Sequence, residues 1–313
     1  MKFIVLLNVV IFSLTAFALE TDNFMVWNKT LNDSTRVIDR YFHERIQRVL
    51  EASHGKSCEE VTFKIASHFR IIHPEKHPLE LWLKNNLGTD YVYPEEKNYL
   101  NLSIYRDPFR FYLPFLKLSP NVQVGGIYFG TDKLMHFSST GRRYLEHYLE
   151  KIKKGLTDNE AKQSAIKFGL LNEATILGTG LTGVLSYGDL EANYQGFLFY
   201  RKFCMGETDN YLKQVDGRWV LVNTPTILEY ANPYWDETYN YSYFVPQNWN
   251  KVGPIITNKY CPHFQDQSVV ERMEFYRSFH HQSFSLNYLK KLQSESNDLT
   301  PLAQDICKQF QGF

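Results

Sequence analysis

Between Thr131 and Cys204 the chain carries three helical segments whose apolar spacing says buried and whose ionisable residues say otherwise. The first starts at Thr131 and runs through His136, Tyr144 and Tyr148 to about Lys154. The second opens on the capping box Thr157-Asp158-Asn159-Glu160 and continues past Ile166 and Leu170 to Glu173 and Ile176. After a permissive loop with Gly178, Gly180 and Gly183, the third starts near Ser186 and carries Asn193, Phe197 and Tyr200 to about Cys204. Short connections predict neighbouring helices that alternate in direction. Alternation places His136, Glu173 and Asp189 at one end of the bundle, with Asn193 one turn deeper. Buried charge is expensive unless paired, so this cluster must be a satisfied network or a working site.

The rest of the chain predicts a mainly α fold. Met1-Lys2, the apolar run from Phe3 to Phe17 and the small residues around Ala18 read as a secretory signal peptide over residues 1–18. Residues 19–313 then form a single, mainly helical domain with a central three-helix core and an irregular aromatic C-terminal layer with little β. Helices are expected after Asp33-Ser34, from Ser57 to about Phe69, and from Pro78 to Gly88. Tyr91 to Val124, rich in proline and aromatics, reads as an ordered non-repetitive connection. Gly217 to Val222 reads as a strand after a turn, and helices resume near Ser268 and Ser285.

Charge and composition narrow the function classes. Lys+Arg and Asp+Glu both number 34, and no basic run marks a nucleic-acid face. After the signal peptide no apolar stretch is long enough for a transmembrane anchor, so a periplasmic or secreted protein is expected. Cys58, Cys204, Cys261 and Cys307 fit two disulfides in an oxidising compartment, with all three pairings open. The 21 Tyr, 23 Phe and 5 Trp fill cores but also build sugar-stacking platforms. Tyr230 to Trp249, with Trp235 at its centre, is the candidate sugar-binding wall.

Each polar residue of the central block has a local reading and a chemical one. Asp132 and His136 share a helical face, where the carboxylate can orient the imidazole or simply favour the helix N-terminus. Lys133 points to another side. Glu173 lies between Leu170-Leu171 and Ile176-Leu177, where apolar surroundings raise a carboxyl pKa and suit it to general acid chemistry. A buried pair with His136, Lys133 or Arg142 is the competing reading. Ser186 and Asp189 form an S-x-x-D capping box at a helix start, and Asn193 shares the face of Asp189. Asp132, His136, Glu173 and Asp189 together also offer oxygen and nitrogen ligands that suit zinc, manganese or magnesium, but no metal or cofactor is assigned. His280-His281, adjacent on a helix, would point apart. No G-x-S-x-G, H-E-x-x-H, Walker A or dinucleotide fingerprint is present.

The ordered set Asp132-Lys133-x-x-His136-Phe137, Glu173, then Ser186-x-x-Asp189-Leu190-x-x-Asn193-x-x-Gly196 resembles the core pattern of the VanZ-like and YfiM-like envelope proteins over roughly residues 126–200. VanZ-like proteins are typically embedded in membrane, and many carry an arginine near the position of Ser186. The resemblance implies a helical core with these polar residues facing one another, and no particular reaction. Two functions are therefore expected. One is an exported hydrolase acting on a peptidoglycan-type glycan, with Glu173 as general acid, Asp189 positioning or activating water, and His136 beside them. Asp132, Lys133, Ser186, Asn193 and Trp235 would contact the ligand. The alternative is a non-catalytic envelope protein that binds a glycan, lipid or protein partner and uses the cluster as a buried network.

Overall fold

The computed structural model describes residues 19–69, 78–93, 99–106, 117–175, 178–180, 182–206, 208–279, 282–295 and 299–307. The expected signal peptide and the His280-His281 pair lie outside the described residues. The fold is mainly helical, with short strands in two-stranded pairs.

β1 (Leu19–Thr21) pairs in parallel with β2 (Lys117–Ser119), setting Thr21 beside Ser119. β3 (Asn121–Val124) and β4 (Ile127–Gly130) form a hairpin. Gly125 and Gly126 turn it at φ of 54° and 87°, a left-handed pair that side chains resist. Val122, Val124, Ile127 and Phe129 point into the core. Part of the connection expected to be irregular is thus strand. Each run is only four residues long and follows Pro120, too short for alternation to register as a pattern.

α1 (Thr35–Leu50) buries Ile38, Tyr41, Phe42, Ile46 and Val49, the 3–4 spacing of one helical face. α2 (Cys58–His68) begins with a complete capping box between Ser57 and Glu60. α3 (Pro78–Asn86) follows. The central block is α4 (Thr131–Met135), a π turn (His136–Thr140), α5 (Gly141–Lys153), α6 (Asp158–Thr175) and α7 (Tyr187–Arg201). Thr157 and Glu160 cap α6 reciprocally, at 2.9 and 3.3 Å. α5 packs against both α6 and α7, and α7 also lies on the π turn. That close crossing depends on glycine. A Cβ on Gly196 would stand 1.9 Å from the Phe137 carbonyl oxygen, and one on Gly141 would stand 2.6 Å from the Gly196 Cα.

Beyond α7, β5 (Val184–Leu185), which precedes it, pairs with β8 (Tyr243–Phe244), while β6 (Leu212–Val215) and β7 (Arg218–Leu221) form a hairpin. α8 (Pro246–Ile255) runs on through a second π turn (Ile256–Tyr260), and α9 (Gln267–Ser278) and α10 (Phe284–Ser294) follow. α8 was not expected, because Pro254 interrupts its pattern. Disulfides join Cys58 to Cys204 and Cys261 to Cys307, deciding among the three pairings. One apolar cluster extends from Phe24 to Cys307. Among the described residues no helix is long and apolar enough to cross a membrane.

Trp235 corrects the expected sugar wall. It is 0% exposed, its ring 4.9 Å from Phe129 and 5.8 Å from Phe137, so it is a packing hub with no face left for a ligand. The segment around it lacks periodicity because it folds as short 3-10 turns laid into the core.

Candidate functional site

Lys133 is the centre of the polar cluster. It was expected to point elsewhere, yet it is 0% exposed. Its Nζ lies 2.9 Å from Asp132 Oδ2, 2.7 Å from Asp189 Oδ1 and 2.7 Å from Glu237 Oε1. An ammonium has three donors, and here each faces a carboxylate. Burial by itself depresses this amine, but the three carboxylates outweigh it and hold Lys133 charged, well above its ordinary range.

The surrounding groups are equally committed. Asp132 Oδ1 accepts from Thr21 Oγ1 at 2.5 Å and from the Lys133 amide at 2.9 Å. Ser186 accepts from the Asp189 amide at 3.0 Å, as a helix cap should, but its hydroxyl donates to Glu237 Oε1 at 2.6 Å. The expected capping box is therefore half formed, because Asp189 turns away to Lys133 and His136. Asp132, Lys133 and Ser186 are thus buried and bonded to protein groups in this structure, rather than presented to a ligand as expected. Arg142 pairs with Glu146 at 2.7 Å, away from this cluster.

His136 starts the π turn, and its ring bridges two residues of α7. Nδ1 lies 3.0 Å from Asn193 Oδ1 and Nε2 lies 3.2 Å from Asp189 Oδ2. Asp189 and Asn193 are four apart, so one face of α7 holds both edges of the ring. With Nδ1 donating to Asn193, Nε2 faces a carboxylate and favours a proton. Burial works against the imidazolium, but Asp189 and then Glu173 outweigh it, so its pKa is raised. Asp189 answers in kind: burial pushes its carboxyl up, but His136 and Lys133 pull it below the usual range.

Glu173 reaches the cluster from the end of α6. It is 3% exposed, and its carboxylate comes within 4.8 Å of ligand atoms on both His136 and Asp189. No hydrogen bond to that carboxylate is found among the described residues. Its backbone carbonyl accepts from the Gly178 and Thr179 amides, at 3.0 and 2.9 Å, which folds the glycine loop back over it. Burial raises its pKa to about 7, against the pull of His136.

The expected convergence of His136, Glu173 and Asp189 at one end of the helices, with Asn193 behind, is present in this geometry. Two members were missed. Glu237, from the turn after Trp235, closes the Lys133 group. Glu20, in β1, is 6% exposed, and burial, Glu237 and Asp189 drive its carboxyl well above the ordinary range. Neither carries a local signal, since Glu20 precedes Thr21-Asp22-Asn23 and Glu237 stands between Asp236 and Thr238. The opening to solvent is narrow, with the His136 side chain 18% and the Asp189 side chain 8% exposed.

His136, Glu173 and Asp189 could jointly ligate a metal, while Asp132 belongs to the Lys133 group and not to this triad. The 3.2 Å between Nε2 and Oδ2 suits two ligands of one ion at roughly 2.1 Å each. Against this, the Lys133 ammonium already holds Asp189 Oδ1 and would repel a cation on Oδ2. The His136 proton supplies the charge an ion would bring.

The chain matches no family model, no curated protein and no solved structure.

Proposed function

We propose that this chain is an exported hydrolase of the cell envelope, acting on a peptidoglycan-type glycan, with Glu173 as its general acid. The observation that carries the reading is the Glu173 carboxyl. It is buried, has no hydrogen bond among the described residues and faces a histidine whose every ring nitrogen is already engaged. A buried carboxyl set beside a charged imidazole and a second carboxylate is where proton transfer is expected. A pKa near 7 leaves it protonated in part at neutral pH, as a leaving-group acid requires. In this scheme His136, held by Asp189 and Asn193, positions and charges the site, and Asp189 orients water entering at the His136 edge.

The disulfides suit an oxidising compartment, which supports a periplasmic or secreted location. The likeness of the spaced motif to VanZ-like and YfiM-like envelope proteins belongs to the same proposal. The closed Lys133 group favours a second reading, in which the polar core is a structural network of a binding protein.

Purified sacculi, with released muropeptides resolved by chromatography, test the choice. Glu173→Gln is expected to lower cleavage at least about 100-fold while leaving Tm near wild type. Unchanged cleavage removes Glu173 from the mechanism. A wild type that cleaves nothing, together with a large stability loss in Glu173→Gln, selects the network reading.

A further inference from the structure

We propose that the cavity between the N-terminal turn and α8 binds an anionic carbohydrate, a sugar ring carrying a carboxylate. The cavity, about 230 Å³, is walled by Trp27, Tyr93 and Tyr260 and rimmed by Lys29 and Lys259. At roughly 30 Å³ per water it holds about eight waters, the room of one ring and not of a chain. Lys29 Nζ stands 5.1 Å over the Tyr93 ring and Lys259 Nζ stands 4.8 Å over the Tyr260 ring. Lys29 rests on its ring with no carboxylate among the cavity's lining residues, while Lys259 also feels the buried Asp22 carboxylate. Lys259 is further fixed by donating to the Leu102 carbonyl at 2.7 Å.

A wider groove of about 630 Å³ shares Lys259 and adds Arg106, Lys251, Asn250 and Asn258. Among the described residues, no carboxylate lines either space, in a chain whose formal charges cancel. The half-buried Tyr93 ring for the apolar side of a pyranose, amides for its hydroxyls and ammonium groups for an acid substituent make up one recognition set. An acyl chain would need a long apolar channel, which this lining does not offer.

The groove is coupled to the acid site through α8. Asn248 Nδ2 donates to the Thr182 carbonyl at 2.7 Å and so holds the glycine loop that folds over Glu173. Asn250, Lys251 and Lys259 lie further along the same helical run. At about 1.5 Å rise per residue, Lys259 is roughly 16 Å from Asn248. A strand anchored in the cavity would lie at the far end of the helical run that holds the loop. Only the idea that this anchored strand is what Glu173 cleaves rests on the hydrolase reading.

Calorimetric titration of the full chain bearing Glu173→Gln, which prevents turnover, tests the site. The probes are N-acetylmuramic acid, neutral N-acetylglucosamine and inorganic phosphate. N-acetylmuramic acid is expected to bind at least tenfold tighter than N-acetylglucosamine. Lys29→Gln, with unchanged Tm, and Lys259→Gln are each expected to erase that difference. Equal affinity for the neutral sugar, displacement by an equal concentration of phosphate, or no sugar binding overturns the proposal. The two readings fail separately. Sugar binding without cleavage of sacculi by wild type removes the hydrolase and keeps this site. Cleavage without sugar binding does the reverse.

Discussion

At the scale of single residues, the polar core is a charge balance that depends on pH. Glu173 and His136 both have raised pKa values in the folded chain. Each therefore holds a proton that the unfolded chain has already lost, so each contributes stability at low pH that fades as pH rises. For Glu173 the window runs from about 4.5 to about 7. Asp189, with its lowered pKa, acts in the opposite sense and loses its contribution as pH falls below its unfolded value. Chemical denaturation across pH 4.5 to 8 should show stability falling, and Glu173→Gln should flatten that fall. An identical slope in the variant would mean that Glu173 titrates normally. Lys133→Met should be severe, because it leaves Asp132, Asp189 and Glu237 facing one another without a cation. A loss of about 3–5 kcal/mol is expected, read from urea midpoints. A loss under about 1 kcal/mol would show that the acids repair the site by protonation. Chelator treatment followed by elemental analysis should find no metal dependence, since Lys133 and His136 already supply the positive charge.

At the scale of elements, the site exists because α4 does not continue as a regular α-helix. The π turn ends with the Gly141 amide donating to the His136 carbonyl, five residues back. Tyr200 Oη then takes up the Ser138 carbonyl at 2.5 Å. The wide turn fits only because Gly196 lets α7 touch it. Gly196→Ala should lower Tm sharply, with a stability loss of at least about 3 kcal/mol, since backbone and not a flexible side chain must move. Far-UV and near-UV circular dichroism would separate local repacking from loss of the fold; wild-type stability in this variant would refute the close crossing. Much of this level was legible. The caps at Ser57, Thr157 and Ser186 and the long periodic faces of α1, α5 and α6 are local signals, and each gave a helix near its place. The strand expected at Gly217 to Val222 is β7, whereas the π turn, the β3–β4 hairpin and α8 left no periodic trace.

At the scale of the whole molecule, the two disulfides divide the work unequally. Cys58–Cys204 closes 146 residues and ties α2 to the end of α7, whereas Cys261–Cys307 closes 46 residues within the C-terminal layer. In the chain-entropy account the longer loop should contribute about 1 kcal/mol more. Paired Cys→Ser variants, compared by urea denaturation, should show the larger loss at Cys58/Cys204. The reverse order would point to structure retained in the unfolded chain. The molecule also explains why Trp235 and Tyr230 of the aromatic-rich C-terminal layer do not face solvent. Trp235 and Tyr230 pack against Phe137, so these rings join the layer to the helical core.

The sequence by itself determined the helical class, the three central helices and the meeting of His136, Glu173 and Asp189 at one end. Those features follow from spacing, caps and short connections, which act over a few residues. Only the tertiary structure decided what each polar group does. Lys133 reads as pointing to another side of its helix until Glu237, 104 residues away, and Asp189 close around it. Trp235 reads as a binding residue until Phe129 and Phe137 cover it. The disulfide pairing, the glycine crossing and the cavity beside α8 are of the same kind. Local sequence fixes backbone conformation through short-range sterics and hydrogen bonds. Burial, charge pairing and cavity shape depend on which distant segments arrive at the same place.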